Sequence, residues 1–292
     1  MTEGYTDHYF ETRGCRLHYV EVGVGPLIIF YHGFPSFWFS FHHQMAALKD
    51  RFRVVAVDGP GVNLSSKPTD ISLYKLKNLV LQIDDLARHL AEDKPFYLVG
   101  HDWGAALAWS FAQHLPSRLH KVVAINAPPT NQLLALLESN SEQQRRSHYM
   151  WAMRNGATHQ TMTANNGEKV WEQAYAPFRG RPHYTPEHDT IFRAGLGQAG
   201  AIDGAINWYR ANIPERGNVD QSNYWPSRHA STEVPALLIW GENDQTFVPE
   251  FIDNLGHYAT NLTIKRLTNV GHTPMLEDPE QTNLILTEFL TL

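Results

Sequence analysis

Three residues of this chain have types and spacing that could do chemistry together: Asp102, Asp244 and His272. Asp102 is the centre of Gly100-His101-Asp102-Trp103-Gly104, between a short apolar run and a helix-forming stretch. Glycines on either side let a backbone turn sharply without Cβ clashes. This is the pattern of a nucleophile elbow, with the usual serine replaced by a carboxylate. A carboxylate is already ionised at neutral pH and can attack an electrophilic carbon directly. Asp244 closes Trp240-Gly241-Glu242-Asn243-Asp244, and His272 follows Asn269-Val270-Gly271. An acid so placed would orient an imidazole and stabilise its charged form, and the imidazole would activate a water. Read singly, Asp102 could cap a helix, Asp244 could be a turn residue and His272 a surface histidine. Their order, nucleophile then acid then histidine, each directly after an apolar strand-like run, favours the joint reading.

The elements that must position them follow from periodicity. Residues 8–12 and 15–22 read as a hairpin turning at Arg13-Gly14. Apolar runs at 27–31, 53–57, 96–99, 122–125 and 236–240, with a last strand at 262–267, read as mostly buried strands. Helical spacing fits 39–48, 74–90 and 105–114, the second with Leu76, Leu79, Val80, Ile83, Leu86 and Leu90 on one face. Asp278-Pro279 opens a closing helix whose expected buried face holds Leu284, Ile285 and Phe289. Strands alternating with helices predict an α/β fold with a mostly parallel, doubly wound sheet. Ligands then gather at the carboxyl ends of the strands, where His32, Asp102 and Asn126 fall. His32-Gly33-Phe34-Pro35 could aim a backbone N–H back at the elbow, or be an ordinary Gly-Pro turn. After Ala127-Pro128-Pro129 no strand-like run occurs until beyond Pro214. The expected organisation is a core of 1–129 and 215–292 with an inserted helical cap over 130–214. On that cap, a helix over 142–154 would carry Tyr149 and Met153 on one face, and Tyr209 would follow Ile202 and Ile206 on another.

Composition narrows the function class. The 292 residues are 42% hydrophobic and 18% charged, which suits a sizeable core. The net charge of −6 without a basic block argues against nucleic acid. Cys15 is the only cysteine, which excludes an internal disulfide and suits a reducing compartment. The first residues lack a secretory pattern, and no apolar stretch reaches the ~18 residues of a membrane span. A cytoplasmic location is therefore expected. Sixteen histidines are present, yet no H-E-x-x-H occurs. His183 and His188 have no companions of ligand type close by in the sequence, so neither a metal nor a cofactor is expected.

Taken together, these motifs resemble the α/β-hydrolase fold, and specifically the soluble and bacterial epoxide hydrolases, over nearly the whole chain. His32-Gly33-Phe34-Pro35 is similar to their H-G-F-P oxyanion loop, Gly100-His101-Asp102-Trp103-Gly104 to their elbow, and Trp240-Gly241-Glu242-Asn243-Asp244 and Gly271-His272 to their acid and histidine loops. Ser147-His148-Tyr149-Met150 and Asn207-Trp208-Tyr209-Arg210 resemble the segments that supply the family's two epoxide-binding tyrosines. The resemblance implies catalytic Asp102, Asp244, His272, Tyr149 and Tyr209, with backbone N–H groups of Phe34 and Trp103 as the oxyanion hole. Phe34, Trp38, Trp103, Met153, Phe178 and Met275 are the candidate lining of an aromatic-rich pocket, some of which could equally be core. The partners implied are a small apolar epoxide and water, with a homodimer left open. One departure is Asp58-Gly59-Pro60-Gly61-Val62-Asn63-Leu64-Ser65, where such enzymes usually read D-x-R-G-Y-x-x-S. Two other functions compete. Haloalkane dehalogenases share the elbow, but their second halide donor is commonly an Asn where this chain has Phe34, unless a cap tryptophan such as Trp151 replaces it. A hydrolase-fold binding protein with little turnover would not need the three residues together.

Overall fold

The central apolar runs form strands because β-branched and aromatic side chains fit a pleated surface buried on both faces, whereas the run 262–267, expected to be mostly buried, lies mostly exposed at the edge of the sheet. The computed structural model describes residues 4–291. Its strands are β1 Thr6–Thr12, β2 Cys15–Val22, β3 Leu27–Tyr31, β4 Arg53–Asp58, β5 Phe96–His101, β6 Leu119–Ile125, β7 Ala236–Gly241 and β8 Leu262–Leu267. They make one sheet in the order β1-β2-β4-β3-β5-β6-β7-β8. β2 runs antiparallel to both neighbours, and every other pairing is parallel. From β3 the chain goes to β4 on one side and returns to β5 on the other. The carboxyl ends of β3 and β5 therefore flank the point where winding reverses, the usual crevice for a ligand in such sheets. Tyr31 pairs with Gly100, His101 with Ile125 and Ile125 with Ile239, which sets the loops after these strands side by side.

The helices are α1 His42–Leu48, α2 Leu76–Ala91, α3 Trp103–His114, α4 Thr130–Ser139, α5 Ser141–Arg146, α6 His148–Arg154, α7 Gly156–Thr163, α8 Glu168–Ala174, α9 Pro186–Leu196, α10 Ala201–Asn212, α11 Phe251–Asn254, α12 Pro274–Glu277 and α13 Pro279–Thr291. From α4 to α10 the chain between β6 and β7 holds helices and no strand among the described residues. No helix among them is long and apolar enough to cross a membrane.

The structure differs from expectation at definable places. The helix expected over 142–154 is two, broken at Ser147. Ser147 leaves helical geometry while its buried Oγ accepts a 2.8 Å bond from Gln143 Nε2, an alternative to the helical ladder. The helix expected over 39–48 opens as a 3₁₀ turn, Trp38–Phe41, before α1. On α13 the buried face is Thr282, Ile285, Leu286 and Leu290, while Leu284 is exposed and Phe289 half-buried. Leu284 is one residue, about 100° of helical turn, from Ile285 and so points away. The unusual loop after β4 is packed tightly against α10. Trp208 Nε1 donates to Pro60 O at 2.9 Å, and Gly61, at φ 85°, approaches Gly204 so closely that a Cβ would stand 2.6 Å from its Cα. Asp58 is buried there, accepting from Trp38 N and Asn63 Nδ2 at 2.8 Å and bonded to His18 Nδ1 at 2.7 Å. His188 does have companions: packing sets it beside His42 and His43, with the His42 and His188 ring centroids 4.5 Å apart. They were not visible as companions because they lie far away along the chain.

Candidate active site

Asp102 sits between β5 and α3 at φ 53°, ψ −117°, a conformation that costs a non-glycine residue energy. The turn closes only because its neighbours have no Cβ. One on Gly104 would stand 1.8 Å from Tyr31 O, and one on Gly100 would stand 2.0 Å from Gly104 O. Gly33 meets the same limit from the loop after β3, where a Cβ would lie 2.3 Å from Asp102 Oδ1. That close approach lets the Phe34 backbone N–H donate to Oδ1 at 2.9 Å. Trp103 takes the first position of α3, so its N–H has no intrahelical carbonyl partner.

The other carboxylate oxygen is held differently. Asp102 Oδ2 is 3.4 Å from His272 Nε2, and His272 Nδ1 is 2.8 Å from Asp244 Oδ2. Asp102 and Asp244 are buried, while about a quarter of the His272 side chain, 24%, reaches solvent. Asp244 is fixed on all sides. Asn126 Nδ2 donates to Oδ2 at 2.7 Å, and the Thr246 and Phe247 N–H groups donate to Oδ1 at 2.5 and 3.4 Å.

These contacts set the proton inventory. Burial pushes the Asp102 carboxyl up, but His272, His101 and the Phe34 N–H outweigh it and hold it below the ordinary range. Burial likewise opposes ionisation of Asp244, and His272, Asn126 and the Thr246 N–H overcome it. His272 is pulled down by burial and pushed further up by the Asp244 and Asp102 carboxylates, so its imidazolium is favoured. Its neighbour His101 is lowered to about 4, first by burial and then by His272, and is neutral. His101 bonds through Nε2 to His272 O at 2.8 Å, which seats the histidine loop from below.

Tyr209 on α10 closes the opposite side. Its ring stands edge-on to Trp103 at 5.2 Å and to Phe34 at 5.5 Å, with Tyr149 of α6 a further 6.0 Å from it. Burial raises both phenols well above their ordinary pKa, and the Asp102 charge adds to it. Both therefore remain protonated at neutral pH.

The other residues singled out from the sequence have mixed placements. Met153 and Met275 are buried on α6 and α12. Trp38 lies toward Tyr5 and Phe39, and Phe178 packs beside Tyr184 under the Arg181 guanidinium. The indole N–H of Trp151 is taken by Pro214 O at 3.1 Å. Four further residues hold the loops that carry the site. Asn126, at φ 43°, ties Asp244 to Gly241 N, its Oδ1 accepting at 2.8 Å. Glu277 accepts from the Gly271 and Thr273 N–H groups at 2.8 and 3.0 Å and so pins the histidine loop. Gln143 accepts from Val248 N at 2.9 Å, and Arg146 donates to Asp244 O at 3.1 Å, so α5 holds the acid loop. Only Asn126 had a sequence signal, its position at a strand end.

A family model described as the alpha/beta hydrolase fold matches residues 26–279. Among curated relatives, mouse Epoxide hydrolase 3 is 30% identical over 96% of this chain and 75% of that protein. Human Epoxide hydrolase 4 is 31% identical over 95% of this chain and 76% of that protein. Among solved structures, the Bacillus megaterium epoxide hydrolase in complex with an inhibitor is 29% identical, with a TM-score of 0.89, covering 98% of this chain and all of that one (100%).

Proposed function

We propose an activity for a chain that belongs to the α/β-hydrolase fold family and, within it, to the epoxide hydrolases: the opening of an epoxide to a vicinal diol through an ester on Asp102. The observation that carries the reading is the unequal treatment of the two Asp102 oxygens. Oδ1 is held by the Phe34 N–H, and Oδ2 is free of backbone donors and turned to His272. Oδ2 attacks an epoxide carbon and the C–O bond of the ring breaks. The leaving oxygen takes a proton from the Tyr149 or Tyr209 hydroxyl, and a hydroxyalkyl ester remains on Asp102. Oδ1 becomes the ester carbonyl oxygen, already seated where the Phe34 and Trp103 N–H groups stabilise a tetrahedral oxyanion.

Alkylation also prepares the second step. It removes the Asp102 charge, one of the two that hold the proton on His272, so the imidazolium releases that proton, which restores the phenol of the tyrosine that gave one up, and the imidazole is a base once the ester exists. His272 then takes a proton from water as that water attacks the ester carbon. The acyl bond between the Asp102 carboxyl carbon and Oδ2 breaks, the diol departs with Oδ2 after taking up the second water proton, and the carboxylate is restored with one oxygen from water. In this reading 130–214 is the cap that brings the tyrosines over Asp102. The placement of Trp151 supports it over halide release, because its N–H is occupied elsewhere.

A panel of styrene oxide, aliphatic epoxides, haloalkanes and esters tests the proposal. Diol from the epoxides is the expected product. Halide from the haloalkanes without diol would mean a dehalogenase, and no product from any compound would mean a binder.

A split effect is expected of Asp244→Asn. Attack by Asp102 needs no base, whereas water activation does. Stopped-flow should show a burst like wild type and a steady state slowed by about 10²–10⁴, the range of general base catalysis. Equal slowing of both phases would show that Asp244 acts on ester formation too.

A further inference from the structure

We propose that His42, His43 and His188 form a binding site for one divalent transition-metal ion of the class that imidazole nitrogen prefers, such as Zn²⁺, Ni²⁺ or Co²⁺, joining α1 to α9. Each of the three offers a ring nitrogen, and these nitrogens all lie within 4.8 Å of one another. Ligand nitrogens around a shared tetrahedral zinc stand about 3.3 Å apart for bonds of about 2.0–2.1 Å. Small ring rotations therefore close the set.

The tautomers of two of the rings suit ligation. His42 Nδ1–H donates to Phe39 O at 2.7 Å, leaving the lone pair on Nε2. That Nε2 is buried and has no hydrogen-bond partner, although a buried ring nitrogen ordinarily finds one. Fixing a ring through a backbone carbonyl is the usual outer support of a metal-bound histidine. His43 donates from Nε2 to His183 O at 3.3 Å, which leaves its Nδ1 free to ligate. His188 Nδ1 accepts a long 3.3 Å bond from Thr185 N, the contact that ligation would replace.

The cluster shares no residue with the Asp102, His272 and Asp244 set. Its ligands come from two elements far apart in sequence, so an ion there would tie the helix after β3 to a helix inserted between β6 and β7. Three protein nitrogens leave a fourth position for water. Any ion bound only by the folded chain raises its melting temperature through mass action.

The test uses the full, untagged chain, stripped with a chelator and dialysed. Equilibrium dialysis with Zn²⁺, read by elemental analysis, should give one ion per chain, and Co²⁺ should produce the visible absorption of a tetrahedral site. His42→Ala and His188→Ala should each weaken binding at least tenfold and remove the Zn²⁺-dependent rise in melting temperature. His257→Ala, at an exposed histidine, and His272→Gln should bind like the unaltered chain. His43→Gln and His188→Gln, checked by circular dichroism, supply the same readout where an alanine variant does not fold. Binding unchanged in the His42 and His188 variants, binding lost in His272→Gln alone, or no stoichiometric uptake at millimolar Zn²⁺ would overturn the assignment.

Discussion

Replacing His272 with glutamine should trap a covalent adduct on Asp102. Glutamine cannot take a proton from water, so ester hydrolysis loses its base, worth about 10²–10⁴ in rate. Ester formation keeps its nucleophile, because the Phe34 N–H still holds Oδ1 and the elbow glycines still present Oδ2. His272 also holds the Asp102 carboxyl down against burial. Mixing at about pH 8 therefore keeps the variant's carboxylate ionised. Intact-protein mass spectrometry should show enzyme plus one epoxide, and peptide mapping should place the added mass on the segment holding Asp102. An unchanged rate of turnover would remove His272 from the mechanism. So would a complete absence of adduct with an epoxide that the unaltered chain converts.

The second large effect is expected at the tyrosines. A halide leaves as a weakly basic anion, but an epoxide oxygen leaves as an alkoxide and needs a proton. Tyr149 and Tyr209 can supply it because burial keeps both phenols protonated at neutral pH. Tyr149→Phe and Tyr209→Phe should each slow epoxide opening, and the double variant should lose at least the 10²–10⁴ attributed to general acids. Phenylalanine keeps the ring that packs on Trp103 and Phe34, so the double variant should remain folded. Single-turnover burst rates with circular dichroism decide this. A double variant that opens epoxides at near the original rate would strip both residues of the role and favour halide chemistry.

Why the site's geometry was so legible follows from the local nature of its signals. Glycines around Asp102, a buried apolar run before it and the Asn269-Val270-Gly271 turn before His272 are each readable within a few residues. Parallel strands then bring their carboxyl ends together whatever lies between. The supports were hidden for the opposite reason. Glu277 holds the Gly271 and Thr273 N–H groups, and Gln143 reaches Val248, through single polar contacts that carry no period. The break at Ser147 depends on a side-chain bond from Gln143, and periodicity alone ran the helix through it. Leu284 illustrates the same limit: its apolar type places it in the core, while Thr282, Ile285 and Leu286 take that face. The loop Asp58-Gly59-Pro60-Gly61 departs from the family pattern. Its glycines admit α10, with Trp208 bonded to Pro60 O.

The most direct test of the ester on Asp102 is a single turnover in H₂¹⁸O with enzyme in excess over epoxide. Water attacks the ester carbon rather than the epoxide in this account. The first diol released should therefore carry unlabelled oxygen taken from the carboxylate, and ¹⁸O should be found on Asp102 by peptide mass spectrometry. A first-turnover diol bearing ¹⁸O, with Asp102 unlabelled, would mean that water opens the ring directly and would contradict the account.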